Sequence, residues 1–232
     1  MWDELTGQAE AIAIFRAAAG DSTPRGATIG DSAMTHSWLI TGPPGSGRSN
    51  LAFAFAAALL SDGDEADEAT IRQVQARTHP DLSVLSTEGV IIKMEEVRKL
   101  VASSQFSPSV SRYRVMVIED ADRMQERTSN VLLKALEEPP PRTVWILCAP
   151  SEADLIPTIR SRVRSVRLRV PDVAEVAELL ERRDGVDRPT AERAARVLES
   201  QSNTHGAFRD QRSGIRDQIK ARAPMPRTGA LV

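Results

Sequence analysis

The sequence predicts an α/β fold: a five-stranded parallel sheet with helices on both faces, followed by a small helical unit. Three observations predict it. Short apolar runs recur at residues 38–41, 82–86, 115–119, 144–149 and 166–170. Helix-like stretches at 8–19, 48–60, 68–77, 93–103 and 128–136 lie before and between them, an alternation that calls for parallel strands joined by crossover helices. A glycine-rich segment at 42–49 sits between the first strand and the helix after it, as in a phosphate-binding strand-loop-helix unit.

The first strand is the run His36-Ser-Trp-Leu-Ile-Thr41, apolar enough to be buried. The loop reads Gly42-Pro-Pro-Gly45-Ser-Gly47-Arg48-Ser49, the pattern G-x-x-x-x-G-K-[ST] with Arg48 in place of lysine. Gly42, Gly45 and Gly47 let successive N–H groups turn inward around a phosphate chain, Ser49 completes the pattern, and the following helix adds its positive end. Arginine keeps the charge, but its flat forked guanidinium is longer and bulkier than an ammonium. The site therefore either binds nucleotide differently or no longer turns it over. The helix at 51–60 is apolar almost all round and should be buried. Residues 61–68 carry five acids and no base, which reads as a solvated loop.

The run Val115-Met-Val-Ile-Glu119-Asp120 ends a strand in two carboxylates. This is the form of a second nucleotide-site motif, in which the first acid holds Mg²⁺ and the second polarises the attacking water. Glu119 and Asp120 stand in reverse of the usual Asp-Glu order, so hydrolysis should suffer; the alternative is that they merely end a buried strand. Leu132-Leu-Lys-Ala-Leu-Glu-Glu-Pro-Pro140 ends a helix, with Pro139 stopping it near Glu137. Ser151 follows the fourth strand, either as a turn residue or as a hydroxyl near a γ-phosphate or attacking water. Arg160, Arg162 and Arg164 come within five residues. Arg167 and Arg169 alternate with apolar residues and read as a solvated strand face, whereas Arg160 and Arg162 precede the strand, as surface charges or as a finger presented to a neighbour's nucleotide. Pro171 stops the fifth strand, and helices at 174–183 and 191–200 follow with no strand between them. The expected division is 1–170 nucleotide-binding-like domain, 171–212 helical lid and 213–232 disordered tail.

Composition narrows the function classes. Thirty basic against 32 acidic side chains give a net charge of −2, so no global basic field marks a nucleic-acid binder. A single cysteine, Cys148, excludes a disulfide framework or a cysteine-based zinc site within the chain. No apolar stretch approaches the ~20 residues of a membrane span, and the acidic start is unlike a signal peptide, so a cytoplasmic, non-membrane protein is expected.

Taken together, the segments Trp2-Asp-Glu-Leu-Thr-Gly-Gln8, 42–49, His79-Pro-Asp81, Glu119-Asp-Ala-Asp122, 132–140 and Ser161-Arg162 resemble the bacterial DNA polymerase III clamp-loader family, its delta-prime branch more than the gamma/tau motor. The resemblance covers about residues 1–210. It implies an AAA+ P-loop fold, ATP or ADP with Mg²⁺, and gamma/tau and delta subunits as partners. It also implies action on a sliding clamp and primer-template DNA through the assembled complex. Arg162 then matches the family's trans-acting arginine finger, and Arg209 in Gly206-Ala-Phe-Arg209-Asp210 resembles the lid's nucleotide-sensing arginine. The chain departs from the family in three places: 61–78 lacks the four cysteines of its zinc module, so no zinc is expected; Val163 replaces a cysteine; and the chain stops short of the helical collar. Three functions follow: an accessory subunit with an impaired site of its own and Arg162 serving a neighbour, a hydrolysing gamma/tau-like motor, or a truncated product that does not assemble.

Overall fold

The computed structural model describes residues 2, 5–20, 34–61 and 67–202. Strands β1 (Ser37–Thr41), β2 (Leu82–Leu85), β3 (Arg114–Ile118), β4 (Thr143–Ala149) and β5 (Arg164–Arg167) form one sheet in the order β2-β3-β4-β1-β5. Every pairing is parallel. β1, β3 and β4 are buried at every position, as expected of central parallel strands covered on both faces.

Helices α1 (Ala9–Gly20), α2 (Arg48–Leu60) and α3 (Glu68–Gln75) cover one face, where Trp38, Ile40, Val115, Val117, Val144, Ile146 and Cys148 point. Phe15 of α1, Trp38 of β1 and Phe55 of α2 form a tilted aromatic cluster with centroids 4.5–5.5 Å apart, each pair contributing about 0.5–1.5 kcal/mol beyond its buried area. The apolar circumference of α2 is explained by its place between α1, α3 and the sheet. Leu39, Met116, Ile118, Trp145 and Leu147 point to the other face, against α4 (Met94–Ser104), α5 (Glu126–Glu137) and the short α6 (Pro157–Arg160). Alternate residues of each strand thus feed two separate cores. Beyond the sheet, α7 (Val173–Asp184) and α8 (Arg188–Ser202) pack on each other through Ala177, Leu180, Ala191 and Ala195.

Several boundaries differ from the sequence reading, among them the starts of α5 at Glu126 and α8 at Arg188. β5 lies at 164–167 rather than 166–170, because its partner β1 ends at Thr41 and the last ladder bond runs from Leu168 N to Thr41 O. Past that point the Gln8 side chain takes the place of a strand, its Nε2 donating to Arg169 O at 2.6 Å and its Oε1 accepting from Arg169 N at 3.4 Å. Arg169 is also more than a solvated face, since its guanidinium pairs with Glu175 at the start of α7. The four residues of α6 are too few to show a helical period. Finally, α3 stops at Gln75, two residues early. Residues 62–66 of the acidic stretch 61–68 and the segment 203–232, with Arg209 and the expected tail, lie outside the described residues.

The entry to β2 is organised by one carboxylate. Asp81 is fully buried and accepts hydrogen bonds from Ser109 N at 2.6 Å, Ser109 Oγ, Val110 N and Ser111 N at 2.8 Å each, and Arg114 Nη2 at 3.3 Å. Burial pushes its carboxyl up, but the converging N–H donors outweigh burial and bring its pKa down to about 2. One side chain therefore fixes the turn between α4 and β3 against the start of β2.

Candidate nucleotide site

The glycine-rich loop leaves the carboxyl end of β1, where ligands of open α/β sheets collect. Its first residue is tied to the end of β4 by a bond from Gly42 N to Pro150 O, 3.2 Å, and a turn closes from Ser46 N to Pro43 O, 3.1 Å. Gly42 is required by close approach: a Cβ there would stand 2.6 Å from Ser46 Oγ and 3.0 Å from the Leu168 carbonyl oxygen. Gly47 is required by conformation, with φ 86° as it caps α2. Gly45 is likewise left-handed at φ 83°. Ser49 sits in the first turn of α2. Ser46 Oγ is buried and has no hydrogen-bond partner among the described residues. Gln8 Nε2 reaches Ser46 O at 3.4 Å as well as Arg169 O, so the same amide joins the loop to the end of β5. Arg48 departs from what an extended lysine would do: its Nη1 turns back and donates to the loop's own Gly42 carbonyl.

Two strands away, β3 delivers Glu119 and Asp120 to the same edge. The fields of Arg48, Glu119 and Asp120 all act on the buried Cys148 thiol near the end of β4, although burial is the main reason its pKa is pushed up. The two motifs therefore converge around the central strand. Burial, reinforced by the charge of Asp120, also pushes Asp122 up, while Arg123 and Arg48 pull it back. Glu119 is nearly buried, its side chain 5% exposed, and its Oε1 lies 2.7 Å from Arg77 Nη2. That arginine also lies over the Phe53 ring of α2 and donates to Ser86 Oγ at 3.3 Å. Sequence reading missed both Arg77 and Gln8. Gln8 left one signal, a polar residue just ahead of a helix rich in apolar residues; Arg77 left none, being 42 residues from its partner. Among the described residues, no group of three or more His, Cys, Asp or Glu side chains is arranged to hold a metal ion.

Ser151 follows Pro150, whose carbonyl is bonded to Gly42 N, and so stands at the same edge of the sheet as the loop. Ser151 Oγ accepts from Ala153 N at 3.2 Å and caps a single turn at Glu152–Asp154, an exposed position where the hydroxyl shapes the turn. Arg162 is at the opposite edge of the sheet. Arg164 pairs with Trp38, and Gly42 is four residues farther along β1, so at ~3.3 Å per residue the loop is about 13 Å beyond Arg164, with Arg162 farther still. Arg162 is held by Glu137, whose Oε1 accepts from Nε at 2.7 Å, and donates through Nη1 to Thr158 O at 2.7 Å and Ser161 Oγ at 2.9 Å. This contact joins the Glu-Glu-Pro-Pro segment to Ser161-Arg162 and gives a reason for their joint occurrence. Arg160 is exposed on the same short helix.

Residues 27–172 match the family described as DNA polymerase III, delta subunit. The chain belongs to this family. Among relatives of this delta-family chain, the DNA polymerase III subunit delta' of Pseudomonas aeruginosa is 34% identical over 154 residues, covering 63% of the chain and 47% of the relative. The crystal structure of a DNA polymerase III gamma subunit-related protein from Thermotoga maritima is 27% identical with a TM-score of 0.50, over 69% of this chain and 53% of that one. RuvB of Thermotoga maritima matches at TM-score 0.57 with 19% identity, over 84% of this chain and 57% of its own, and speaks to the fold alone. That fold is the AAA+ P-loop arrangement of a parallel sheet between helices. The delta-family chain spans about half, or less, of the length of the curated delta' relatives it matches. Among its described residues no helix is long and apolar enough to cross a membrane.

Proposed function

We propose that the chain is an accessory, delta-prime-like subunit of the DNA polymerase III clamp loader, helping to place the sliding clamp on primed DNA. In this reading its own nucleotide site is impaired, and Arg162 acts on the nucleotide of an adjacent gamma/tau subunit. The observation that carries the reading is the separation of Arg162 from the chain's own loop. An arginine at the amino edge of the sheet, about 13 Å or more along the strands from Gly42, is far from its own loop, which supports a role toward a neighbour's nucleotide. Its grip on Glu137 and Thr158 O orients the guanidinium before any partner arrives, which lowers the cost of using it.

The site itself supports the impaired half of the reading. The loop keeps the glycine conformations that cradle phosphate, so ATP or ADP fits the backbone, yet Arg48 is turned onto Gly42 O and Glu119 is occupied by Arg77. Residues 42, 45, 47, 48 and 49 would hold the phosphates; Asp120 and Ser151 would stand by the reacting end. α7 and α8 would be the described part of a lid, and delta and gamma/tau subunits, the clamp and primer-template DNA would be met through the assembled complex.

The test is reconstitution with gamma/tau and delta. Arg162→Ala should depress DNA-stimulated ATP hydrolysis by about 10³-fold at the site it serves while the complex still assembles by gel filtration. Unchanged hydrolysis in an intact complex overturns the finger role. Robust ATP turnover by the isolated chain that Arg48→Ala abolishes would instead make it a motor of the gamma/tau kind.

A further inference from the structure

Arg77 is an arginine where the backbone asks for glycine. α3 closes with Arg77 N donating to Val74 O at 3.0 Å and Thr78 N to Gln73 O at 2.9 Å, the bond pair that ends a helix through a left-handed residue. Arg77 accordingly adopts φ 58°, a conformation that residues bearing a Cβ resist. Backbone held in such a state is a pointer to a role for the side chain. Here the left-handed turn aims the arginine away from α3 and across the sheet edge, where Nη2 meets Glu119 Oε1 at 2.7 Å.

The place it reaches is informative. Ser49 and Phe53 are one turn apart on α2 and share a face of that helix. The Arg77 guanidinium lies 5.3 Å from the Phe53 ring centre while pairing with Glu119, so it stands on the Ser49 side of α2 and at the end of β3 together. In a strand-loop-helix nucleotide site a divalent cation occupies that interval, between the loop's last hydroxyl and the strand-end acid. The residues present do not fit Mg²⁺. That ion demands an octahedron of oxygens at about 2.0–2.1 Å, whereas Glu119 is nearly buried and already holds a guanidinium.

We propose that Arg77 is a resident cation of this site: it neutralises Glu119 where a metal would otherwise be recruited, so that a nucleoside di- or triphosphate on residues 42–49 is bound without divalent metal. The inference rests on reading 42–49 as a phosphate site and is independent of membership in a clamp loader. Arg48 and Arg77 supply the positive charge from within the chain, Arg48 at the loop and Arg77 at the strand end.

The test is a titration of the full chain with a fluorescent ADP analogue, once in excess Mg²⁺ and once in EDTA, for the wild type, Arg77→Gly and Arg77→Gly with Glu119→Gln. Glycine suits the left-handed backbone, so the variant removes the guanidinium without disturbing the helix end. Wild-type affinity should agree within about twofold between the two conditions, and Arg77→Gly should gain about tenfold or more from Mg²⁺, a gain lost when Glu119 is neutralised. A wild-type affinity about tenfold higher in Mg²⁺, or an Arg77→Gly variant indifferent to it, overturns the proposal. So does a wild type that binds under neither condition, and that result strikes the phosphate-loop reading while leaving the Arg162 experiment to judge the clamp-loader reading. The wild-type comparison needs no variant to fold.

Discussion

Replacing Asp81 with asparagine should destabilise the chain by about 3–5 kcal/mol. Four short hydrogen bonds, from Ser109 N, Ser109 Oγ, Val110 N and Ser111 N, end on its two oxygens, and Arg114, with a side chain 10% exposed, is its buried counter-ion. Asparagine keeps one oxygen and turns an NH₂ toward donors that need an acceptor. Each lost charge-assisted bond is worth about 1.5–3 kcal/mol, and a buried arginine left without its partner sets the 3–5 kcal/mol scale. Protonation gives a gentler version of the same loss: lowering the pKa from 3.8 to about 2 corresponds to about 2 kcal/mol. The sign follows from the depressed value in the folded state. The contribution is complete above about pH 4 and disappears as pH falls toward about 2. Urea unfolding followed by tryptophan fluorescence reads both effects, because Trp38 and Trp145 are fully buried in the two cores. An Asp81→Asn penalty under about 1 kcal/mol, or a variant whose stability still falls as steeply as the wild type between about pH 4 and pH 2, would refute the reasoning.

Gly42→Ala places a methyl 2.6 Å from Ser46 Oγ and 3.0 Å from the Leu168 carbonyl; the loop must shift, with a loss of about 1–3 kcal/mol in urea unfolding and of nucleotide binding, and a variant of unchanged stability contradicts the packing described. Cys148, buried on β4 with its thiol pKa pushed up chiefly by burial, should react with a thiol reagent only as fast as the sheet opens and at once in denaturant; rapid labelling of the native chain overturns that placement.

What the sequence made legible follows from how strongly each feature is encoded locally. β1, β3 and β4 are runs of apolar residues with no polar interruption, because both faces are covered, and the glycine pattern of 42–49 admits few other backbones. β5 was harder: as an edge strand it carries exposed Arg164, Ser165 and Arg167, so its apolar signal comes from Val166 and Leu168 and drifts toward the carboxyl end. Asp81 is legible only as part of the segment His79-Pro-Asp81, since its partners lie at 109–114, about 30 residues away, and nothing near it in the chain announces them. Arg77 hides more fully. A helix end closed by glycine is visible in a sequence, but one closed by arginine reads simply as more helix, which is why the sequence predicts α3 as far as residue 77.

The charges at the carboxyl edge of the sheet bear on what the phosphate loop was kept for. A site prepared to capture a metal-nucleotide complex leaves its loop cation and strand-end acid unpaired, so that the ligand satisfies them. In this chain Arg48 already donates to Gly42 O and Glu119 already accepts from Arg77, so a metal-nucleotide complex would have to break contacts that the folded chain has made. Such contacts reduce the affinity gained from the ligand by what they contributed before it arrived, a charge-assisted bond being worth about 1.5–3 kcal/mol. At the opposite edge Glu137 and Thr158 O orient Arg162, whose side chain remains about a third exposed; in the proposed reading that exposed part would meet a partner's phosphate. Breaking the Arg162–Glu137 pair, partly exposed as it is, costs little against the transition-state charge an arginine can meet there. Arginine is thus paired at both edges of the sheet, onto Gly42 O and Glu119 around the chain's own loop and onto Glu137 at the edge where, in the proposed reading, a neighbour would dock.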